Sequence, residues 1–414
     1  IIAFYQLEKS MNRIVIAIGL LLASVMATAK QSDLTEDMAL QIGLSRDLVQ
    51  QRMSASINNA KSGIVTASTW ANPEISYERE ALDGIDAVEQ KIVISQEFDF
   101  SGRRGLHKQA ADLHMNAAEY ESAAWRSEFV KNIRTRYYDA LYQQKRQQAY
   151  RQTQQRINVL SQALKGRRDE GDVSIYDYQK VVTERASIEA EANNADADFD
   201  TTWIGLWALL GPGSDEYAML AGELLPASPP PLQQLNITLD NQPRLQQLKA
   251  RSEAYALQQN AENRTFPDVT LGLGWKRDEI GSSSDDGLII NASIPIPLFD
   301  KRKGSQFKYQ AQAMTAQSEF ELSYDAATSE LVGLWQQTLR YRKSAVSYRK
   351  ESVQAVSELI KIAETYYRAG EIGIMELLDA YQSALDAELT TIDFEYKARI
   401  ARIKLDYITG GSAQ

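Results

Sequence analysis

The chain contains no cysteine and only two histidines, His107 and His114, in 414 residues. Without cysteine there is no disulfide framework, no thiolate metal site and no thiol to take a lipid. The histidine pair stands seven apart in helical text, and tight metal sites converge three or four ligands, so packing is the better reading of both. Beyond residue 30 the chain also lacks any uncharged apolar run of about 18 residues, which excludes a spanning helix. No nucleophile–histidine–acid set, phosphate-cradling glycine loop or metal-ligand motif is present, so neither an enzyme nor a cofactor is expected. A formal charge of −10 argues against a nucleic-acid partner.

What is present begins with a leader. Met11-Asn-Arg-Ile-Val-Ile-Ala-Ile-Gly-Leu-Leu-Leu-Ala23 joins one early positive charge to an apolar run, and Ala27-Thr28-Ala29 is a small-residue cleavage pattern. Residues 1–29 are therefore expected to be an upstream extension and a cleaved signal peptide. The competing reading, a membrane anchor, needs a longer apolar core to cross about 30 Å.

The remaining text is duplicated. Phe100, Gly105, Gly171 and Gly211 answer to Phe299, Gly304, Gly370 and Gly410 at a constant offset of 199, with no insertion or deletion between. The first repeat is expected over 30–225, with a helix at 36–66, strands at 72–80 and 90–100, a long helix at 105–170 and a returning helix at 172–209. A linker at 226–240, rich in proline near Pro226, leads to the second repeat at 241–414. That repeat holds a helix at 241–263, strands at 267–277 and 287–298, a long helix at 304–369 and a returning helix at 372–408.

The strands alternate with period two. Ile92 and Ile94 point opposite to Val93 and Ser95, while Leu271, Leu273 and Trp275 point opposite to Gly272, Gly274 and Lys276. An apolar face backed by a small or polar one, over about ten residues, suits a tilted bilayer crossing beside a water-filled lumen. Four strands cannot close a barrel, and open edges in lipid leave backbone groups unsatisfied. Either the sheet is soluble or several chains pool their strands. Pro295 and Pro297 remove ladder donors and place the end of the last strand in question. Each long helix runs about 65 residues without proline, roughly 100 Å at 1.5 Å per residue, which calls for a bundle or coiled coil. Val353, Val356, Ile360, Ala363 and Tyr367 have the spacing of a packing seam, and Phe129, Ile133, Tyr137 and Leu141 that of one helical face.

Asn72-Pro-Glu, Ser95-Gln-Glu-Phe, Pro267-Asp-Val-Thr-Leu-Gly-Leu-Gly-Trp275, Ile294-Pro-Ile-Pro-Leu-Phe-Asp-Lys-Arg-Lys-Gly304 and Gly370-Glu-Ile-Gly-Ile-Met-Glu-Leu-Leu-Asp379 resemble the TolC family of outer-membrane efflux channels, across nearly the whole chain. Within it the text is most similar to the CzcC branch, which serves heavy-metal exporters. The resemblance implies a mainly α fold with a membrane β-barrel: a homotrimer pooling four strands per chain into twelve, in the outer membrane, above a long periplasmic α-helical tunnel. It implies docking to an inner-membrane RND pump through a periplasmic adaptor protein. The alternatives are a drug or protein-secretion channel of the same build, and a non-conducting periplasmic coiled-coil scaffold.

Carried over by position, the resemblance makes Gly370 the turn glycine of the periplasmic end, Glu376 and Asp379 the acids of the entrance ring, and Tyr367 an aromatic lock. Glu376 and Asp379, three apart, share a helical face, and three copies would present six carboxylates to a cation. The bland reading is a solvated face, since acids near a helix start favour its positive end; both residues are expected in the second turn, where that effect fades. A basic residue found after the turn in some relatives is Ile372 here, which leaves Arg368, Arg167 or Arg168 to hold the turn. In the first repeat Gly171 is the turn glycine, and Asp177 and Lys180 stand where Glu376 and Asp379 stand in the second. Met375 beside them is expected to pack in the seam. Arg103, Arg104, Lys301 and Arg302, just past the strands, are placed to meet lipid head groups at the membrane interface, or simply to aid solubility.

Overall fold

A computed structural model of the chain describes residues 33–82, 87–212, 217 and 219–411. The leader therefore lies outside the described residues. In chain order the elements are α1 (Glu36–Ser45), α2 (Asp47–Ser68), β1 (Glu74–Leu82), β2 (Ala87–Phe98), α3 (Arg103–Asp169) and α4 (Ile175–Leu210), then α5 (Leu232–Leu239), α6 (Pro243–Glu262), β3 (Val269–Ile280), β4 (Ser283–Ser293), α7 (Lys303–Tyr348), a π turn (Arg349–Val353), α8 (Gln354–Ala369) and α9 (Ile374–Ile408).

Three local departures from the expected boundaries have physical causes. The helix expected at 36–66 is broken at Arg46, whose extended backbone frees its guanidinium to donate to the carbonyls of Ala208, at 3.3 Å, and Leu209, at 2.6 Å, at the end of α4. Those carbonyls have no partner within their own helix, so the break satisfies them. The linker at 226–240 is half helical: α5 buries Leu235 and Leu239 in a core with Leu245, Leu331, Leu334, Leu405 and Ile408. β4 ends at Ser293 instead of reaching 298, since Pro295 and Pro297 lack ladder donors.

The strands form one antiparallel sheet in the order β1-β2-β3-β4. Its register aligns two apolar rows on one face: Ile75, Ile94, Leu273 and Ile290, then Tyr77, Ile92, Trp275 and Leu288. All eight are exposed. On the other face Val93 is buried and lies over Gly274, where a Cβ would come within 2.4 Å of the Ile92 carbonyl. At Gly272 a Cβ would collide with Asn291. The glycines that read as a small face in sequence are thus required by crowding across the strands.

The two repeats are not in constant register. Ala118 and Ala316, Ile133 and Leu331, and Ala140 and Thr338 are buried counterparts 198 positions apart, whereas Ser161 and Ile360, and Leu164 and Ala363, are counterparts 199 apart. The change falls at the π turn, which inserts one residue into the second long helix. The expectation of an alignment free of insertions is corrected accordingly. Beyond the turn Ile360 and Ala363 are buried and Val353, Val356 and Tyr367 half-buried, so the seam lies on the expected residues.

Gly274→Val should destabilise the sheet by about 1–3 kcal/mol, because backbone on both sides would have to move. This is read as a lower temperature for loss of the folded band on a gel run with mild detergent. Gly287→Ala, where an added Cβ meets nothing within 4 Å, should leave that temperature unchanged.

Candidate functional site

Both long helices end in the same way. The Gly171 N–H donates to Arg168 at 3.0 Å and the Asp172 N–H to Arg167 at 2.9 Å; the Gly370 N–H donates to Tyr367 at 3.1 Å and the Glu371 N–H to Tyr366 at 2.9 Å. Glycine is needed at each turn because φ is +86° at Gly171 and +77° at Gly370. Asp172 and Glu371 therefore belong to the closing turn of the helix before them. They are not acids of the helix that follows.

After the first turn, the Ser174 side chain caps α4 by accepting from the Tyr176 N–H at 3.1 Å. After the second, α9 begins at Ile374, which makes Glu376 its third residue and puts it in the first turn. The expectation of a second-turn position is corrected: the helix starts two residues later than expected. Glu376 folds back over Gly373, where an added Cβ would lie 2.9 Å from its carboxylate. Glu376 and Asp379 are both exposed, and both border a cavity of about 560 Å³ walled by Leu359, Ile362, Tyr366 and Ile372. Asp379 also borders a second groove with Lys180, Glu184 and Asp386, so the differing residues of the two copies, Lys180 and Asp379, face one space. Met375 lines both grooves and is 40% exposed, so it does not pack in the seam as expected.

The three arginines at the turns divide their work. The Arg167 side chain hydrogen-bonds the Tyr367 hydroxyl with Asp177 nearby, joining the first copy's turn to the second copy's helix. Burial raises the Tyr367 pKa, Arg167 works against that rise and Asp177 adds to it, so the hydroxyl stays neutral. Arg168 pairs with Asp169 and lies 4.5 Å over the Tyr178 ring. Arg368 reaches Glu364 at 3.4 Å, and Glu364 accepts from the Tyr381 hydroxyl at 3.1 Å. Burial, then Glu364, pushes the Tyr381 pKa up to about 12.

One pair escaped the sequence reading. Buried Glu395 of α9 meets Arg349 of the π turn at 2.8 Å, and burial raises its pKa. Its counterpart in the first copy is the more exposed pair Arg151 and Asp196, at 2.9 Å. The arginines lie 198 apart and the acids 199, a mismatch visible in the sequence once the inserted residue is known.

The basic residues past the strands are mostly engaged. Arg103 pairs with Asp268 at 2.5 Å, Arg104 lies 3.9 Å over the Trp70 ring and donates to the Ser68 carbonyl, and Arg302 comes within 3.6 Å of Glu262. Lys301 is exposed. His107 stands 3.4 Å from Glu262, and His114 packs edge-on against Tyr255 with ring centres 5.2 Å apart. Among the described residues no group of three or more acidic or histidine side chains is arranged to hold a metal ion.

Comparison with known proteins gives three kinds of match. The family model described as "Outer membrane efflux protein" matches residues 235–411. The chain is 24% identical over 383 residues to the cobalt-zinc-cadmium resistance protein CzcC of Cupriavidus metallidurans, covering 91% of this chain and 90% of the relative. It is 25% identical to the nickel-cobalt-cadmium resistance protein NccC of Alcaligenes xylosoxydans xylosoxydans, over 64% of this chain and 61% of that one. Among solved structures, the outer membrane protein VceC of Vibrio cholerae superposes with a TM-score of 0.74 at 19% identity, covering 91% of this chain and 96% of that one. CusC superposes with a TM-score of 0.70 at 15% identity, covering 91% and 92%. The fold is that of these channels.

Burial holds His107 below the ordinary imidazole pKa, against the pull of Glu262 and with the help of Arg103 and Arg302. A lowered folded pKa means that the stability it contributes is complete above about pH 6.5 and is lost as pH falls below that value. His107→Gln should therefore flatten the decline in unfolding midpoint between pH 7.5 and 5.5, measured by denaturant titration.

Proposed function

From the match of residues 235–411 to the outer membrane efflux protein model and the likeness to CzcC over nine-tenths of the chain, we propose that this chain is a member of that family and the outer-membrane exit duct of a tripartite RND-type system exporting heavy-metal cations. The observation that carries the reading is the sheet: an exposed apolar face eight residues strong, with both edge strands open. Such a sheet in lipid must close with copies of itself, because an unpaired backbone group there costs several kcal/mol. Three chains would supply the twelve strands of a barrel. A periplasmic adaptor protein and an inner-membrane pump are the partners this reading requires. The reading assigns no catalytic chemistry and no cofactor to the chain.

Similarity to proteins named for cobalt, zinc, cadmium and nickel resistance supports a metal cargo. A duct does not need a tight metal site, since conduction fails if cargo is held. In this reading Glu376 and Asp379 supply a weak cation-attracting ring at the periplasmic entrance. Tyr367 with Arg167 and Asp177 is the contact that keeps the two turns together, while Gly171 and Gly370 shape them and Arg168 and Arg368 stiffen their own hairpins. Lys301 is the cation best placed to meet outer-membrane lipid.

Two measurements check this. In planar bilayers, replacing Glu376 and Asp379 together by alanine should shift the reversal potential under a salt gradient toward zero; an unchanged potential counts against the ring. A deletion strain should become sensitive to one or more of zinc, cadmium, cobalt, nickel, copper and silver. Sensitivity to antibiotics alone would favour a drug channel, and a soluble monomer after fractionation would favour a non-conducting scaffold.

A further inference from the structure

On the apolar face of the sheet the fourth strand keeps its pattern after its ladder has stopped. Leu288, Ile290 and Ala292 of β4 share that face, and Ile294, Ile296 and Leu298 continue the same alternation beyond Ser293. Every residue from Asn291 to Asp300 is exposed, Phe299 at 99%. Next to this run stand Lys301 and Lys303, both exposed and, among the described residues, in no ion pair. The matching stretch of the first copy is folded back on the chain. Phe98 lies edge-on to Trp70 with ring centres 6.0 Å apart, Arg103 is held by Asp268, and Arg104 by Trp70 and Ser68. Of the two copies, the second alone presents an apolar run and free cations together at this place.

The prolines fit such a run to hydrocarbon. Pro295 and Pro297 have no N–H, and the Leu298 N–H donates to the Ile296 carbonyl at 2.9 Å, so three of the six positions from 294 to 299 have no free donor. An unpaired N–H is costly in lipid and harmless in water, where the prolines would gain nothing. They also argue against a strand of another copy as the cover, since a ladder cannot run along a segment that lacks its donors.

The run supplies a missing length as well. On the outward face the apolar rows begin with Tyr77, Ile92, Trp275 and Leu288, beside the polar row Arg79, Gln90, Arg277 and Asp286. From Leu288 to Ala292, the last laddered position on that face, β4 covers about 13 Å, or roughly 10 Å of height at a tilt of about 40°. Ile294 and Ile296 each precede a proline and are thereby confined to extended backbone, so continuing to Ile296 gives about 26 Å along the strand and roughly 20 Å of height. Outer-membrane barrels carry an apolar band about 25 Å tall, flanked by aromatic residues. Leu298 and Phe299 extend the run toward that figure, and an exposed aromatic residue stands in each of the four connections at this end of the sheet: Trp70, Phe100, Phe266 and Phe299. All four connections lead to helices, so this is the periplasmic end.

We infer that residues 294–302, with Lys303 at the head of α7, form a lipid anchor: Ile294, Ile296, Leu298 and Phe299 lie in the inner leaflet of the outer membrane, and Lys301 and Lys303 hold the phosphates of anionic phospholipid head groups. The inference rests on the outer-membrane reading above and adds to it which copy grips the bilayer, and with which charge. Basic side chains just past an apolar segment are drawn to an anionic surface.

Because the chain has no cysteine, single-cysteine variants report one position each. Ile290→Cys, Ile296→Cys and Phe299→Cys are labelled with bimane in trimers reconstituted into vesicles of phosphatidylethanolamine and phosphatidylglycerol, then exposed to nitroxide lipids or to aqueous iodide. Labels at 296 and 299 should be quenched by nitroxide lipids as strongly as the label at 290, and hardly by iodide. Quenching at 296 and 299 by iodide instead overturns the anchor, and so does protection from both quenchers, which would mean that another copy covers the run. A label at 290 that lipid cannot reach would overturn the membrane reading itself. Where Ile296→Cys does not assemble, Leu298→Cys is read in its place with the same outcomes. For the head groups, Lys301→Gln with Lys303→Gln should lower several-fold the phosphatidylglycerol retained by trimers purified from those vesicles, measured by mass spectrometry, while Lys108→Gln, at an exposed lysine of the first copy, should leave it unchanged. Unchanged retention in the double variant, or an equal loss in Lys108→Gln, overturns the assignment of the two lysines.

Discussion

Backbone hydrogen bonding at the two sheet edges is the constraint on which the rest depends. β1 and β4 each present N–H and C=O groups with no strand beside them, on a sheet whose outer face carries two unbroken apolar rows. In water that combination invites aggregation, and in hydrocarbon it demands closure. Closure through copies fixes much else. Strands that must meet at a common level cannot wander in length, and the hairpins that deliver them must repeat. The glycines at 272 and 274 belong to the same requirement, since they let Val93 and Asn291 pack across the inner face.

The helices answer a different requirement with the same economy. Their turns are closed by identical hydrogen-bond patterns at Gly171 and Gly370, so both ends are geometrically alike. Between strand and turn, however, the second copy accommodates one extra residue in a π turn and buries Glu395 against it. Burying a carboxylate is costly, and the Arg349 contact offsets part of that cost. The first copy has the milder version in Arg151 and Asp196, on the surface.

Much of this was legible in the sequence, and what was not has definable causes. Alternation announced the strands because one face of each is apolar, and the glycines flagged the crowded face. The positions of Gly171 and Gly370 announced the turns because only a left-handed residue closes a helix there. What periodicity could not reveal was the break at Arg46, set by carbonyls far along the chain, or the π turn, since one extra residue leaves local composition unchanged. Helix α5 was masked by the prolines before it, although Leu235 and Leu239 carry its apolar face. Glu376 and Asp379 were identifiable as acids just past the second turn, but the start of α9 was misplaced by two residues. Arg167 could not be chosen over its neighbours until its contact with Tyr367 was seen.

The fusion of two unequal copies in one chain would set the grain at which the proposed entrance is tuned. Six separate identical chains would change a ring of side chains six at a time. Here Asp379 and Lys180 occupy corresponding places with opposite signs and share one groove. In the proposed trimer a single substitution would alter every second position of the ring and leave the alternate ones untouched, so three charges could be added or cancelled while three others stay fixed. Duplication followed by divergence would thus give the proposed duct a finer adjustment of its field than strict symmetry allows.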